Sequence, residues 1–81
     1  MTDDTGLTED EVLIMQIESR FWRYPGRKAT VIREKLDISE IRYYQRLRTL
    51  AFESPAAEAM YPMLVKQIRR RVERARRQPA A

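Results

Sequence analysis

Neither cysteine nor histidine occurs anywhere in the 81 residues of this chain. A chain this short builds one domain, and one small core supplies only a few kcal/mol of net stability, on the order of 3–5. Disulfides and Cys/His zinc sites are the usual staples at this size, and both are excluded. The fold must therefore be held by side-chain packing or self-association. Only two glycines are present, which disfavours a turn-rich β fold. No stretch alternates apolar and polar residues over a useful length. The expected class is all-α: a small helical bundle containing a helix-turn-helix, followed by a basic C-terminal helix.

The helices announce themselves by their caps and periodicity. Thr8 and Glu11 have capping-box spacing, and Leu7 and Val12 have that of a hydrophobic staple. Glu9, Asp10 and Glu11 lie in the first turn, where the helix dipole favours acids. Apolar residues then recur at helical period through Leu13, Ile14, Ile17 and Phe21, with Val12, Met15 and Trp22 broadening the face. The first helix is expected to run to about Tyr24 and to be broken by Pro25 and Gly26. Phe21 to Tyr24 read as core and helix end. A second helix is expected from about Arg27 to Leu36. Asp37 to Ser39 interrupt it, and Ser39 caps a third helix ending near Leu50 or Ala51. Ser54 and Pro55 open a short turn through Met60. A long helix follows from about Met63 to Arg77. The corresponding division is an acidic, disordered tail over 1–7, a helix-turn-helix domain over 8–60, and a basic helix with a frayed end over 61–81.

Charge divides the chain sharply. Residues 1–19 hold six acids (Asp3, Asp4, Glu9, Asp10, Glu11 and Glu18) and no base. Residues 20–81 hold all 16 bases against six acids, a net of +10. This asymmetry points to a polyanionic partner for the second part. The stretch from Lys66 to Arg77 is densest, with Lys66, Arg69, Arg70, Arg71, Arg74, Arg76 and Arg77 against Glu73 alone. A helix C-terminus gains at most about 1 kcal/mol from one or two bases, so seven bases ask for another explanation. Arginine suits phosphate, and neutralising about six phosphates gives a slope near −5 in log K against log salt. A membrane-surface role is weaker, because the apolar stripe of this helix lacks Trp and Phe.

The segment Leu36-Asp37-Ile38-Ser39 joins two amphipathic helices as the turn of a helix-turn-helix does. Ile38 plugs the core, and Tyr43 and Leu47 pack back on Ile32 and Leu36. Glycine is usual where this chain has Asp37, and aspartate tolerates a left-handed backbone better than most residues. The helix after Ser39 then faces the major groove with Ser39, Glu40, Ile41, Arg42, Tyr44, Gln45 and Arg48. The candidate DNA-binding residues are Ser39, Arg42, Tyr44, Gln45 and Arg48 together with the seven bases of the tail. Tyr43 reads as core, and Tyr44 reads equally as core or contact.

No catalytic constellation is evident. The common general base and the thiol nucleophile are missing, and no Gly-rich phosphate loop occurs. The N-terminal acids read as capping residues rather than cation ligands. No cofactor or metal is expected, and the chain is read as a non-enzyme. No basic, apolar leader is seen, and no apolar run reaches the ~18 residues of a membrane span. The expected location is the cytoplasm, at the nucleoid.

The chain resembles a family of small, uncharacterised actinobacterial and actinophage proteins. The likeness rests on LTEDE at Leu7 to Glu11, FWRYPGRK at Phe21 to Lys28, IREKLDISEIRYYQRL at Ile32 to Leu47, and YPMLVKQIRR at Tyr61 to Arg70. It implies a helix-turn-helix-like domain and no settled activity. The leading expectation is a DNA-binding protein, a transcription regulator or chromosome-associated protein, with double-stranded DNA as partner and a homodimer as assembly. Alternatives are a module docking on RNA polymerase or a sigma factor through the acidic first helix and Trp22, and RNA binding through the arginine-rich helix.

Overall fold

A computed structural model describes residues 6–77. Among the described residues there are five helices and no strand: α1 (Glu9–Ser19), α2 (Pro25–Leu36), α3 (Glu40–Glu53), α4 (Pro55–Met60) and α5 (Pro62–Arg77). The acids Asp3 and Asp4 of the expected acidic tail, and the expected fraying of Gln78 to Ala81, lie outside the described residues. Leu7 at the inner end of that tail segment is buried in the core.

Local chemistry sets most helix starts. Thr8 accepts from the Glu11 backbone N–H at 3.1 Å, and the Glu11 carboxylate accepts from the Thr8 N–H at 2.9 Å, closing the capping box. Ser39 Oγ accepts from the Arg42 N–H at 3.1 Å at the head of α3. Ser54 Oγ accepts from the Ala57 N–H at 3.1 Å at the head of α4. Each cap satisfies a backbone donor that the helix leaves without a partner. Between α2 and α3, Asp37 adopts φ 55° and ψ 42°, the left-handed conformation expected of it. Its N–H returns to the Arg33 carbonyl at 2.9 Å.

The α1 to α2 connection differs from the expectation. α1 stops at Ser19, and Arg20 is extended at φ −85°, ψ 151°. Just beyond this end the Trp22 indole N–H donates to the Ile17 carbonyl at 2.7 Å, which also accepts from the Arg20 N–H at 3.3 Å. The indole bond helps satisfy an acceptor at the helix end and brings the ring back against the core. Pro25 then starts α2 rather than breaking α1, because proline lacks only an N–H that a first-turn residue does not use. Phe21 and Tyr24 are therefore not core: they are 89% and 64% exposed.

The core gathers one stripe from each helix. Ile14, Met15 and Ile17 of α1 meet Ile32 and Leu36 of α2, Tyr43, Leu47 and Leu50 of α3, and Val65 and Ile68 of α5. Tyr43 is fully buried, as its position on the inner face of α3 predicts. α3 packs most extensively on α5 and also touches α1, α2 and α4. One side of α3 is thus fixed in the middle of the bundle and the other is left to solvent. No described helix is long and apolar enough to cross a membrane.

Candidate nucleic-acid interface

The free side of α3 is a ridge between two grooves. One groove, about 450 Å³, is lined by Glu11, Ile38, Arg42, Gln45, Arg46 and Thr49 among others. The other, about 290 Å³, is lined by Gln45, Arg48, Thr49, Phe52, Glu53 and Arg76. Gln45 and Thr49 border both grooves and so form the crest. Arg42 falls on the α1 slope and Arg48 on the α5 slope. These donors sit at i, i+3 and i+6, about 4.5 Å of rise apart at each step. All three are exposed, and none has a side-chain partner among the described residues. Ile41 is 74% exposed beside them.

Two other residues expected at this site have structural work. Ser39 is the α3 cap. Tyr44 is 39% exposed, meets the Tyr43 ring edge-on at 4.9 Å, and has the Lys28 ammonium 5.1 Å from its ring centroid.

The bases of α5 divide by face. Val65, Ile68 and Val72 face the core. At 100° per residue, Lys66, Arg70, Arg74 and Arg77 project to the opposite side. They are exposed and without side-chain partners among the described residues. Arg76 turns toward α3 and shares a groove with Arg48. Arg69 is held within the fold. Its Nε–H donates to the Ala51 carbonyl at 2.7 Å, and its guanidinium pairs with Glu58 at 3.3 Å. Ala51 lies in the last turn of α3, where carbonyls lack helical donors, so Arg69 caps that helix from α5.

Arg71 pairs with Glu18 at 3.0 Å, and Glu18 is the residue that sequence reasoning missed. Its side chain is 3% exposed. It accepts from the Lys28 ammonium at 2.9 Å and the Tyr43 hydroxyl at 2.8 Å. Four helices are thus joined at one carboxylate. Burial pushes that carboxyl up, but the hydrogen bonds from Lys28, Tyr43 and Arg71 and the Lys28 charge outweigh it and hold it below its ordinary value. Burial also opposes the Lys28 charge, while Glu18 and Tyr44 hold it above its ordinary value. Tyr43 is pushed well up by burial and by the neighbouring Glu18 charge. With α1 ending at Ser19, Glu18 is an acid in its last turn, where the helix dipole disfavours it; an α1 expected to run to Tyr24 hides that signal.

The chain matches the family DUF3263, proteins of unknown function, over residues 6–80. It belongs to that family. No curated protein and no solved structure matches it. The DUF3263 match spans all five helices, so α3, both grooves and the Glu18 cluster lie within the family domain.

Proposed function

We propose that this DUF3263 protein binds double-stranded DNA through a helix-turn-helix made of α2, the Asp37 turn and α3. In this reading α3 enters the major groove, and the bases of α5 contact phosphates alongside. The observation that carries it is the ridge of Arg42, Gln45 and Arg48, exposed and unengaged on a helix whose other side is locked in the core. An arginine reads guanine O6 and N7 in bidentate fashion, a glutamine reads adenine N6 and N7, and the exposed Ile41 suits a thymine methyl. A rigid helix with free donors on one side has the form that base readout requires.

The engagement of Arg69 and Arg71 within the fold narrows the phosphate-binding set. Lys66, Arg70, Arg74, Arg76 and Arg77 carry that role, with Arg71 contributing charge only from beside Glu18. The role is binding rather than catalysis, in transcription regulation or chromosome organisation at the nucleoid. A homodimer would place two α3 ridges on one duplex and read a palindrome.

Fluorescence anisotropy with labelled duplex fragments at several salt concentrations tests the reading. Submicromolar binding with a steep salt slope supports it, and differences between fragments identify base readout. Absence of binding at low salt rejects it and directs attention to protein partners, RNA polymerase and sigma factors first.

A further inference from the structure

The loop between α1 and α2 presents a second, different surface. Trp22 is anchored by its indole N–H on Ile17, and the Arg20 guanidinium lies 4.7 Å from the Trp22 ring centroid. Pro25 fixes the other end at the start of α2. Trp22 is turned toward the core, while its neighbours Phe21 and Arg23 are exposed. Phe21 is 89% exposed and Tyr24 64% exposed. A pinned loop that holds a bare phenyl ring in water is poorly explained by folding, since nothing in the core uses that ring.

The charge around the ring indicates what covers it. From Ser19 to Arg33 the sequence has five bases (Arg20, Arg23, Arg27, Lys28 and Arg33) and no acid. Lys28 is engaged by Glu18. Arg20, Arg23 and Arg27 are exposed and have no acidic partner among the described residues. An occupant must therefore combine dense negative charge with flat apolar faces, which is the chemistry of stacked bases between phosphates. The helix that follows the loop is held against α3. Lys28, four residues beyond Tyr24, sits over the Tyr44 ring, and the Glu18 to Arg71 pair draws in the second half of α5.

We infer that the Phe21 loop is a second DNA contact, in which the Phe21 ring wedges between adjacent base pairs while Arg20 and Arg23 hold the flanking phosphates. This inference rests on the proposed DNA binding. Apolar wedges of this kind partly unstack a base step and kink the duplex by about 20–90°. The protein would then bend DNA at a point distinct from the bases read by α3.

The test is ligase-mediated circularisation of random-sequence duplex fragments shorter than the persistence length of about 150 base pairs. Anisotropy is measured on the same fragments. The wild type is expected to bind and to raise the yield of monomer circles. Phe21→Ala should keep the wild-type melting temperature and salt slope, because the ring touches no core residue, yet lose the gain in circles. Phe21→Leu, which keeps an apolar wedge, should recover part of it. Equal circle yields from the wild type and Phe21→Ala at equal bound fraction would overturn the wedge and leave DNA binding standing. No anisotropy change with the wild type would overturn DNA binding itself, and the wedge with it.

Discussion

The Tyr43 hydroxyl donates to the Glu18 carboxylate at 2.8 Å, joining α1 to α3 across 25 residues of chain. The same hydroxyl lies 3.3 Å from the Ile14 carbonyl. Every buried polar side-chain atom among the described residues has a hydrogen-bond partner, and this cluster is where that satisfaction is most concentrated. An unpaired polar group here costs more than its bond contributes, because water does not replace the missing partner.

Stability should therefore depend on pH through Glu18. Its folded-state carboxyl titrates below the ordinary value. Its contribution is fully present above the unfolded value of about 4.3 and is lost as pH falls through the folded one. Lys28 and Tyr43 are raised in the fold. Their contributions are present below about pH 10 and fade as pH rises through the folded values. Urea denaturation across pH should give a plateau near neutrality with losses at both ends. Glu18→Gln should be less stable by about 1–3 kcal/mol near pH 7, with a flatter acid limb. An unchanged acid limb would remove Glu18 from this role.

Asp37 occupies a left-handed conformation that costs a β-carbon-bearing residue roughly 1–2 kcal/mol. Aspartate bears less of that cost than most residues. Asp37→Gly should leave stability unchanged or raise it by up to about 1 kcal/mol. Asp37→Val should lower it by about 1–2 kcal/mol. The order Gly, Asp, Val in thermal melting is the expected outcome.

Ser39 separates capping from recognition. Ser39→Ala removes the acceptor of the Arg42 N–H and should cost about 1 kcal/mol. Ser39→Asp keeps a cap and should restore stability, while adding negative charge at the face proposed to meet DNA. Recovery of the melting temperature together with weaker DNA binding is expected from that variant.

Arg69 is engaged within the fold and its neighbour Arg70 is exposed. Arg69→Ala deprives the Ala51 carbonyl and Glu58 of their donor and should destabilise the fold by about 1–2 kcal/mol. Arg70→Ala should leave the melting temperature unchanged and reduce the salt slope of DNA binding by about 1. Circular dichroism melts and salt-dependent anisotropy on the pair separate the two effects.

What the sequence by itself determined was local. Thr8, Ser39 and Ser54 announce helix starts because a hydroxyl accepts from an N–H three residues on, and no distant residue is needed. Asp37 marks the turn through its own backbone preference. The inward stripe of α3, and with it the outward set of Arg42, Gln45 and Arg48, follows from helical period. Tertiary structure decided the rest. Past Ser19 it is Trp22 that packs on the core made by the other helices, so Phe21 is left exposed although it continues the periodicity of α1. The seven bases of the tail look alike in sequence, yet Arg69 and Arg71 are withdrawn by Ala51, Glu58 and Glu18 on other helices. A side chain's partner is fixed by which helix lies across from it, and residues far apart in the chain carry no local signal of that meeting.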